Sequence, residues 1–225
     1  TNTPPVSACI IWGTTATSGG KGISNDNSAP VISYGDIADW LSGGSWDTAL
    51  GDDVGGNIDE DPCFAEPGYW EDPCNTPGDA DDDFWVDGDY HLKSEGWRWD
   101  VSREVWAWDD VTSRCIDAGN PGSPLAEELL IIPSDPNNEW GENLRINMGA
   151  YGGMAEASMG PYDWALLADL TNDGTADWRD YCYMADEWFA MADEQPGDLN
   201  RDSIVNMADF ALLAQDWLDV TDWAL

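Results

Sequence analysis

The strongest constraint on the fold is an internal repeat near the C-terminus. Residues 168–189 align without gaps to residues 197–218, 29 positions further on, and the two segments share six identical residues. Three of the shared residues are aspartates, at positions 1, 5 and 12 of a loop that begins at Asp169 or Asp198. Oxygen ligands at positions 1, 3, 5, 7, 9 and 12 of a twelve-residue loop bind calcium. The repeat therefore predicts two calcium-binding loops, each followed by a helix.

Each loop supplies a nearly complete set of oxygen ligands. The predicted ligands of the first loop are Asp169, Thr171, Asp173, Thr175, Asp177 and Asp180. Those of the second loop are Asp198, Asn200, Asp202, Ile204, Asn206 and Asp209. Position 7 contributes a backbone carbonyl, so an apolar residue is acceptable there. Carboxylates clustered in one loop repel one another without a cation, which disfavours two metal-free acidic loops.

The remaining loop positions also fit this interpretation. Gly174 lies at position 6 of the first loop, where the chain turns sharply, and Ser203 replaces it in the second. Apolar Ala176 and Val205 at position 8 predict a short β-pairing between the two loops. An apolar stripe at helical spacing follows each loop. The stripes are Tyr181, Met184 and Trp188 after the first loop, and Phe210, Leu213 and Trp217 after the second.

Net charge excludes several classes of partner. The chain has 45 acidic and 8 basic residues, a formal charge of −37. Nucleic acid, whose phosphates require cations, is therefore excluded, and an anionic membrane surface is disfavoured. The chain has no apolar run of about 18 residues, so no membrane span is predicted. With 15 tryptophans and 42% hydrophobic residues the chain can bury a core, and divalent cations are the natural counter-charge for its carboxylates.

The first 160 residues contain short apolar segments separated by turn signals, which predict short strands in a β-solenoid or a sandwich. Alternating tryptophans predict a hairpin over residues 97–108, which would serve either as an aromatic platform for a ligand or as ordinary packing.

Cys63 and Cys74 could form a disulfide or remain two free thiols. A third acidic stretch is either another calcium loop or a solvated surface loop: Asp79, Asp81, Asp83, Asp87 and Asp89.

The two loop motifs, residues 169–174 and 198–203, resemble those of a type I dockerin, over about residues 163–218. Dockerins attach secreted proteins to cohesin domains. The resemblance implies a pair of loop–helix motifs holding two calcium ions, with cohesin contacts at loop positions 10 and 11. These positions hold residues 178–179 and 207–208, which differ from the hydroxyl pairs common in that family.

A second resemblance covers roughly residues 8–155. Segments 9–13, 31–34, 56–62, 89–92, 115–119 and 145–153 resemble the last coils of right-handed parallel β-helices in large secreted bacterial proteins. The fold expectation is mainly β plus small α. A truncated parallel β-helix-like solenoid over residues 1–160 precedes a dockerin-like calcium-binding domain with a C-terminal tail over residues 161–225.

These patterns favour an extracellular or cell-surface structural protein stabilised by calcium. We expect no catalysis, because Lys21, Lys93 and His91 form no basic cluster and no nucleophile motif is present. Thr1 does not open a signal peptide, which indicates a processed or truncated chain. An open solenoid end predicts self-association into a homo-oligomer or filament. The alternatives are the C-terminal part of a carbohydrate-active protein anchored to cohesin, or a cohesin-binding adaptor; a cell-surface polysaccharide is a further candidate partner.

Overall fold

The computed structural model describes residues 5–14, 22–25, 28–39, 45–76 and 81–224. Within them the chain is mainly β, with two short helices and small scattered sheets. The strands are β1 (Val6–Ser7), β2 (Ile10–Ile11), β3 (Val31–Ser33), β4 (Asp36–Ile37), β5 (Asp52–Asp53), β6 (Phe64–Glu66), β7 (Tyr69–Glu71), β8 (Phe84–Val86), β9 (Asp89–Leu92), β10 (Arg98–Asp100), β11 (Val105–Ala107), β12 (Gly141–Glu142) and β13 (Gly160–Pro161). The helices are α1 (Trp178–Asp186) and α2 (Met207–Leu213), and a 3-10 turn covers Asp222–Ala224.

The parallel pairing lies near the N-terminus. β3 lies between β1 and β5, so that Ile32 faces Val6 on one side and Asp53 on the other. β2 pairs with β4, and an isolated bridge joins Asp36 to Ile58. The aliphatic side chains of this stack form a small core of Ile32, Ile37 and Leu50.

Beyond residue 58 the described sheets are antiparallel: β6 pairs with β9, β7 with β8, β10 with β11, and β12 with β13. Strands β10 and β11 are separated only by residues 101–104. Such a connection suits a hairpin, because parallel strands require a crossover of a dozen or more residues. No solenoid is detected in the described residues, and the parallel pairing predicted for residues 1–160 is limited to the N-terminal stack.

Two larger cores support the rest of the molecule. The first joins side chains from distant segments of the β region, among them Tyr34, Leu92, Ile116 and Met148. The second lies under the two loops and helices and includes Leu170, Met184, Leu199 and Leu213. Leu170 and Leu199 occupy position 2 of each loop, and the predicted helical stripes bury Met184 and Leu213 completely. Apolar burial therefore fixes both loop–helix units onto one core.

The predicted tryptophan hairpin is confirmed. β10 and β11 pair with Trp99 opposite Trp106, and the two ring centroids lie 5.6 Å apart. Cys63 and Cys74 are free thiols, so the disulfide alternative is not realised. In the described part of the chain, no helix has the length and apolar character needed to cross a membrane.

Candidate metal-binding loops

Position 1 of each loop is held by the same hydrogen bonds. Its aspartate accepts from the backbone N–H groups of positions 5 and 6. The donor–acceptor distances are 3.1 and 2.8 Å at Asp169, and 3.0 and 2.6 Å at Asp198. Because both oxygens are bound by the following turn, the loop curls around this carboxylate.

Position 12 closes each loop in an equivalent way. Its aspartate accepts from the backbone N–H groups of positions 3 and 9, at 3.0 and 2.7 Å for Asp180 and at 3.1 and 2.8 Å for Asp209. The same carboxylates complete a capping box with the N-cap residues Asp177 and Asn206. Each loop is therefore continuous with the first turn of its helix.

All four of these carboxylates are buried. The exposed fractions are 3% for Asp169, 0% for Asp180, 2% for Asp198 and 0% for Asp209. Burial raises the pKa of Asp169 to about 6, with nearby Asp180 adding to the shift and Arg145 opposing it. Burial likewise raises the pKa of Asp180. Ionised carboxylates removed from water need a counter-charge, which a cation at the loop centre would supply.

In the first loop, the guanidinium group of Arg179 binds the carboxylate at position 5, where a metal ion would bind. One oxygen of Asp173 accepts from the backbone N–H of Thr175 at 3.2 Å, and the other accepts from the guanidinium group of Arg179 at 2.5 Å. Arg179 is 71% exposed at its side chain. The corresponding residue of the second loop is Ala208, which has no charge. The two loops thus differ in the electrostatics of position 5.

Position 8 does not form the predicted pairing between the loops. Val205 instead accepts from Phe189 N–H at 2.9 Å and donates to the Ala190 carbonyl at 3.4 Å. Ala176 exchanges equivalent bonds with residues 218–219, at 2.8 and 3.2 Å. Each loop is therefore closed by the residues that follow the opposite helix. These two exchanges are related by the same 29-residue offset as the loops themselves.

The C-terminal tail packs against the first loop. Thr221 donates its backbone N–H to the Gly174 carbonyl at 2.9 Å, and Asp222 donates to the Asp163 carbonyl at 3.3 Å. The Trp223 ring lies under the guanidinium group of Arg114, 3.6 Å from the ring centroid. A Cβ atom on Gly174 would lie 2.6 Å from the Trp223 ring, so this glycine is required for the contact.

Position 4 ties each loop to the β region. Asn172 and Arg201 both have φ of 57°, a left-handed conformation that turns their side chains out of the loop. Each side chain donates to two backbone carbonyls: Asn172 to Gly56 and Ala118 at 2.7 and 2.8 Å, and Arg201 to Pro121 and Leu144 at 3.0 and 2.8 Å. Residues 118–121 therefore contact both loops. The sequence repeat gave no signal for this role, since the two residues differ.

Arg145 adds a third connection. It is 1% exposed, and it donates to the Asp169 carbonyl at 2.7 Å and to the Gly119 carbonyl at 2.6 and 3.0 Å. Burial lowers its pKa. The hydroxyl group of Tyr34 donates to the Leu170 carbonyl at 3.1 Å. The first loop is thus hydrogen-bonded into the interior of the β region.

A separate acidic group lies on the hairpin of β7 and β8. Among the described residues, Asp72, Asp82 and Asp83 are the only three Asp, Glu, His or Cys side chains with ligand atoms all within 4.8 Å of one another. This group could hold a metal ion. The carboxylates of the two loops do not form such a group: they are set more widely, and hydroxyl, amide and carbonyl oxygens lie between them, together with Asp177 at position 9 of the first loop.

Hairpin register explains why this group was not predicted. Glu71 pairs with Phe84, which places Asp72 and Asp83 at the next facing position. Facing like charges are unfavourable without a cation. Of the predicted alternating set, Asp79 lies outside the described residues and Asp83 joins this group, whereas Asp81, Asp87 and Asp89 do not. The predicted set contained only the alternating, odd-numbered aspartates from 79 to 89, and therefore omitted Asp72 and Asp82.

Comparisons of this chain with protein-family models, with curated proteins and with solved structures find no match. The resemblances to dockerins and β-helices therefore rest on the motifs alone. The case for a metal site rests on the geometry of the loops.

Proposed function

We propose that this chain is an extracellular structural protein that binds calcium in its two C-terminal loops. The observation that carries the proposal is the duplicated hydrogen-bond pattern around four buried aspartates, at positions 1 and 12 of both loops. Such buried carboxylates favour a bound cation, and oxygen-only ligands favour a hard one. The ions would stabilise the loops and, through Asn172, Arg201 and Arg145, the contact with the β region.

Calorimetric titration of the chelator-stripped chain with Ca²⁺ tests this proposal. We expect D180N and D209N each to lose one binding event, since each removes a ligand charge from one loop. Asp186→Asn is the matched control, because Asp186 is an exposed aspartate on α1 outside the loops. Wild-type stoichiometry in both loop variants would contradict the proposal.

Asp72, Asp82 and Asp83 form a possible additional calcium site. The double variant D72N/D83N removes the facing carboxylates of the hairpin and leaves both loops intact. If the hairpin binds calcium, the wild-type chain shows a third binding event in addition to the two assigned to the loops, and this variant lacks the third event. Unchanged stoichiometry would restrict calcium to the loops.

We further propose that the chain self-associates through the open edge of its parallel strands, which would correspond to the open end of a β-helix. Among the described residues, β1 pairs only with β3, and β2 only with β4. An unpaired edge is a template for another strand. Light scattering in millimolar calcium should show an oligomer or filament. Ile10→Pro should reduce it by removing an edge donor, because the Cys9 and Ile11 carbonyls face β4 and the backbone N–H of Ile10 between them faces away from it. A monomer under these conditions would contradict this part of the proposal.

A second candidate function is anchoring to a cohesin-like protein. Trp178 and Met207, at position 10 of the loops, are both 63% exposed. An apolar groove of about 430 Å³ includes Trp178 and is lined by Trp178, Tyr181, Phe210, Ala214 and Trp217. The chain would then be the C-terminal part of a secreted carbohydrate-active protein. Calcium-dependent capture on immobilised cohesin, abolished by Trp178→Ala, would favour this candidate.

A further inference from the structure

The single histidine of the chain lies in a polar environment unrelated to the calcium loops. His91, on β9, has no exposed surface. Its Nδ1 atom lies 2.5 Å from Oδ1 of Asp89, and its ring stacks on Tyr151 with centroids 3.5 Å apart. Its Nε2 atom faces Oε2 of Glu156 at 3.7 Å. Each ring nitrogen is therefore directed at a different carboxylate.

The contact at Nδ1 defines the tautomer. A carboxylate only accepts hydrogen bonds, so Nδ1 carries the proton that it donates to Asp89. Asp89 is in turn held by Arg98, whose Nη1 lies 3.6 Å from Oδ2. In the neutral ring, Nε2 then has a free lone pair. This atom is buried without a hydrogen-bond partner, because 3.7 Å exceeds hydrogen-bond distance. A buried unsatisfied acceptor points to an ion or another ligand.

We infer that Nε2 of His91 and the carboxylate of Glu156 bind a divalent transition-metal ion of the zinc class. Zinc binds histidine nitrogen at about 2.0–2.1 Å and carboxylate oxygen at about 2.0–2.2 Å, so ligand atoms 3.7 Å apart subtend about 125° at the ion. The Asp89–His91 pair matches the common arrangement in which a carboxylate orients a metal-binding histidine. Imidazole selects zinc, copper or nickel over calcium, so this site is independent of the calcium proposal.

The remaining ligands would come from the side of Glu156. Glu156 is 49% exposed at its side chain, which gives water access to the ion from that side. The Tyr151 ring stacks on the face of the imidazole, and the Nε2 atom is within reach of Glu156. The charge of −37 further favours cation binding. Two protein ligands and water make an open site.

Because the chain contains one histidine, nitrogen NMR tests the site directly. Chain labelled with ¹⁵N-histidine is alkylated at its accessible thiols, saturated with Ca²⁺ and titrated with Zn²⁺. Before zinc, we expect a protonated Nδ1 and an unprotonated Nε2 at pH 7.5. Zinc should shift the Nε2 resonance. In Glu156→Gln the zinc dissociation constant should rise at least about tenfold, whereas Glu127→Gln, at an exposed glutamate, should leave it unchanged.

Asp89→Asn provides a second variant. It removes the negative charge of the acceptor and adds an NH2 group that can donate to Nδ1, so the tautomer is no longer fixed and we expect zinc affinity to fall about 10- to 100-fold. A ring protonated on both nitrogens at pH 7.5 would instead show an ion triad of Asp89, His91 and Glu156, and would overturn the inference. Zinc binding that leaves both ring nitrogens unchanged would also overturn it, as would wild-type affinity in Glu156→Gln.

Discussion

Arg145 donates a hydrogen bond from Nη1 to the backbone carbonyl of Asp169 at 2.7 Å. The donor is buried in the β region, and the acceptor residue begins the first of the two loops. The same guanidinium group binds the Gly119 carbonyl, beside the Ala118 carbonyl that receives Asn172. Loop geometry and the packing of residues 118–121 are therefore mechanically connected.

Arg145→Met should destabilise the chain by at least about 2 kcal/mol. The substitution retains much of the side-chain volume but leaves the Asp169 and Gly119 carbonyls without their donor, and an unsatisfied buried acceptor costs about 1–3 kcal/mol. Urea unfolding in saturating calcium measures this change. Arg103→Met is the control, because Arg103 is 64% exposed and should change stability by less than about 0.5 kcal/mol. Equal effects of the two substitutions would contradict the assigned role.

Asn172→Gly should lower the free energy of unfolding by about 1–3 kcal/mol. Glycine tolerates the φ of 57°, so the loss reports chiefly the side-chain bonds to Gly56 and Ala118. Asn75→Gly is the matched control, because Asn75 also has a positive φ, of 54°, but its side chain is exposed. Chemical denaturation compares the variants. Similar effects in both would mean that position 4 contributes only its backbone conformation.

Arg179→Ala should raise the calcium affinity of the first loop by about two- to fivefold. Its exposed guanidinium group competes with the ion for Asp173, and exposed ion pairs contribute about 0.2–1 kcal/mol. The reciprocal variant, Ala208→Arg, should weaken the second loop by a similar factor. Titrations in Asp209→Asn and Asp180→Asn backgrounds, respectively, isolate one loop at a time. Unchanged affinity in both variants would show that position 5 is not sensitive to this charge.

Glu128→Gln should flatten the pH dependence of stability. Burial raises the pKa of Glu128 to about 7 from an ordinary 4.5, so its contribution is present below pH 4.5 and is lost as pH rises towards 7. Asp36 and Asp117 have pKa values raised to about 6 and about 7 by burial and act in the same direction. Between pH 4 and pH 8, the free energy of unfolding of Glu128→Gln should rise by about 2–3 kcal/mol relative to that of wild type.

Urea unfolding at pH 4 and pH 8 measures this difference. Calcium is kept out of both samples, so that metal binding does not add its own pH dependence. Glu127→Gln is the control, because Glu127 is an exposed neighbour whose replacement should leave the slope unchanged. A parallel pH profile for Glu128→Gln and wild type would exclude a raised pKa at Glu128.

The repeat predicted the two loop–helix units correctly because a twelve-residue loop followed by a helix is a local structure, whereas calcium binding by the loops stays a prediction. Its ligand positions, helix starts and apolar stripes all follow from spacing along the chain. The partner of position 8 could not be obtained in this way. Val205 could pair with Ala176 or with residue 190, and only the arrangement of the two helices decides between them.

Long-range contacts explain the other differences. The Asp72 and Asp83 pair depends on the register of β7 and β8, which spacing along the chain does not give. The interior position of Arg145 depends on segments more than 20 residues away. The apolar segments at 9–13, 31–34 and 89–92 contain strands as predicted, but those at 115–119 and 145–153 contain none, and strand direction follows connection length. Residues 101–104 permit only a hairpin, as predicted, whereas β6 with β9 and β7 with β8 pair antiparallel where a solenoid requires parallel strands.

Hydrogen exchange with and without a calcium chelator tests the central claim most directly. We predict that chelation increases exchange throughout residues 169–180 and 198–209 and in the connected residues 118–121, while Ile32 and Ile37, in a separate core, remain protected. Restoring calcium should restore protection. Identical exchange of both loops in calcium and in chelator would contradict the conclusion that these loops bind calcium and depend on it for their structure.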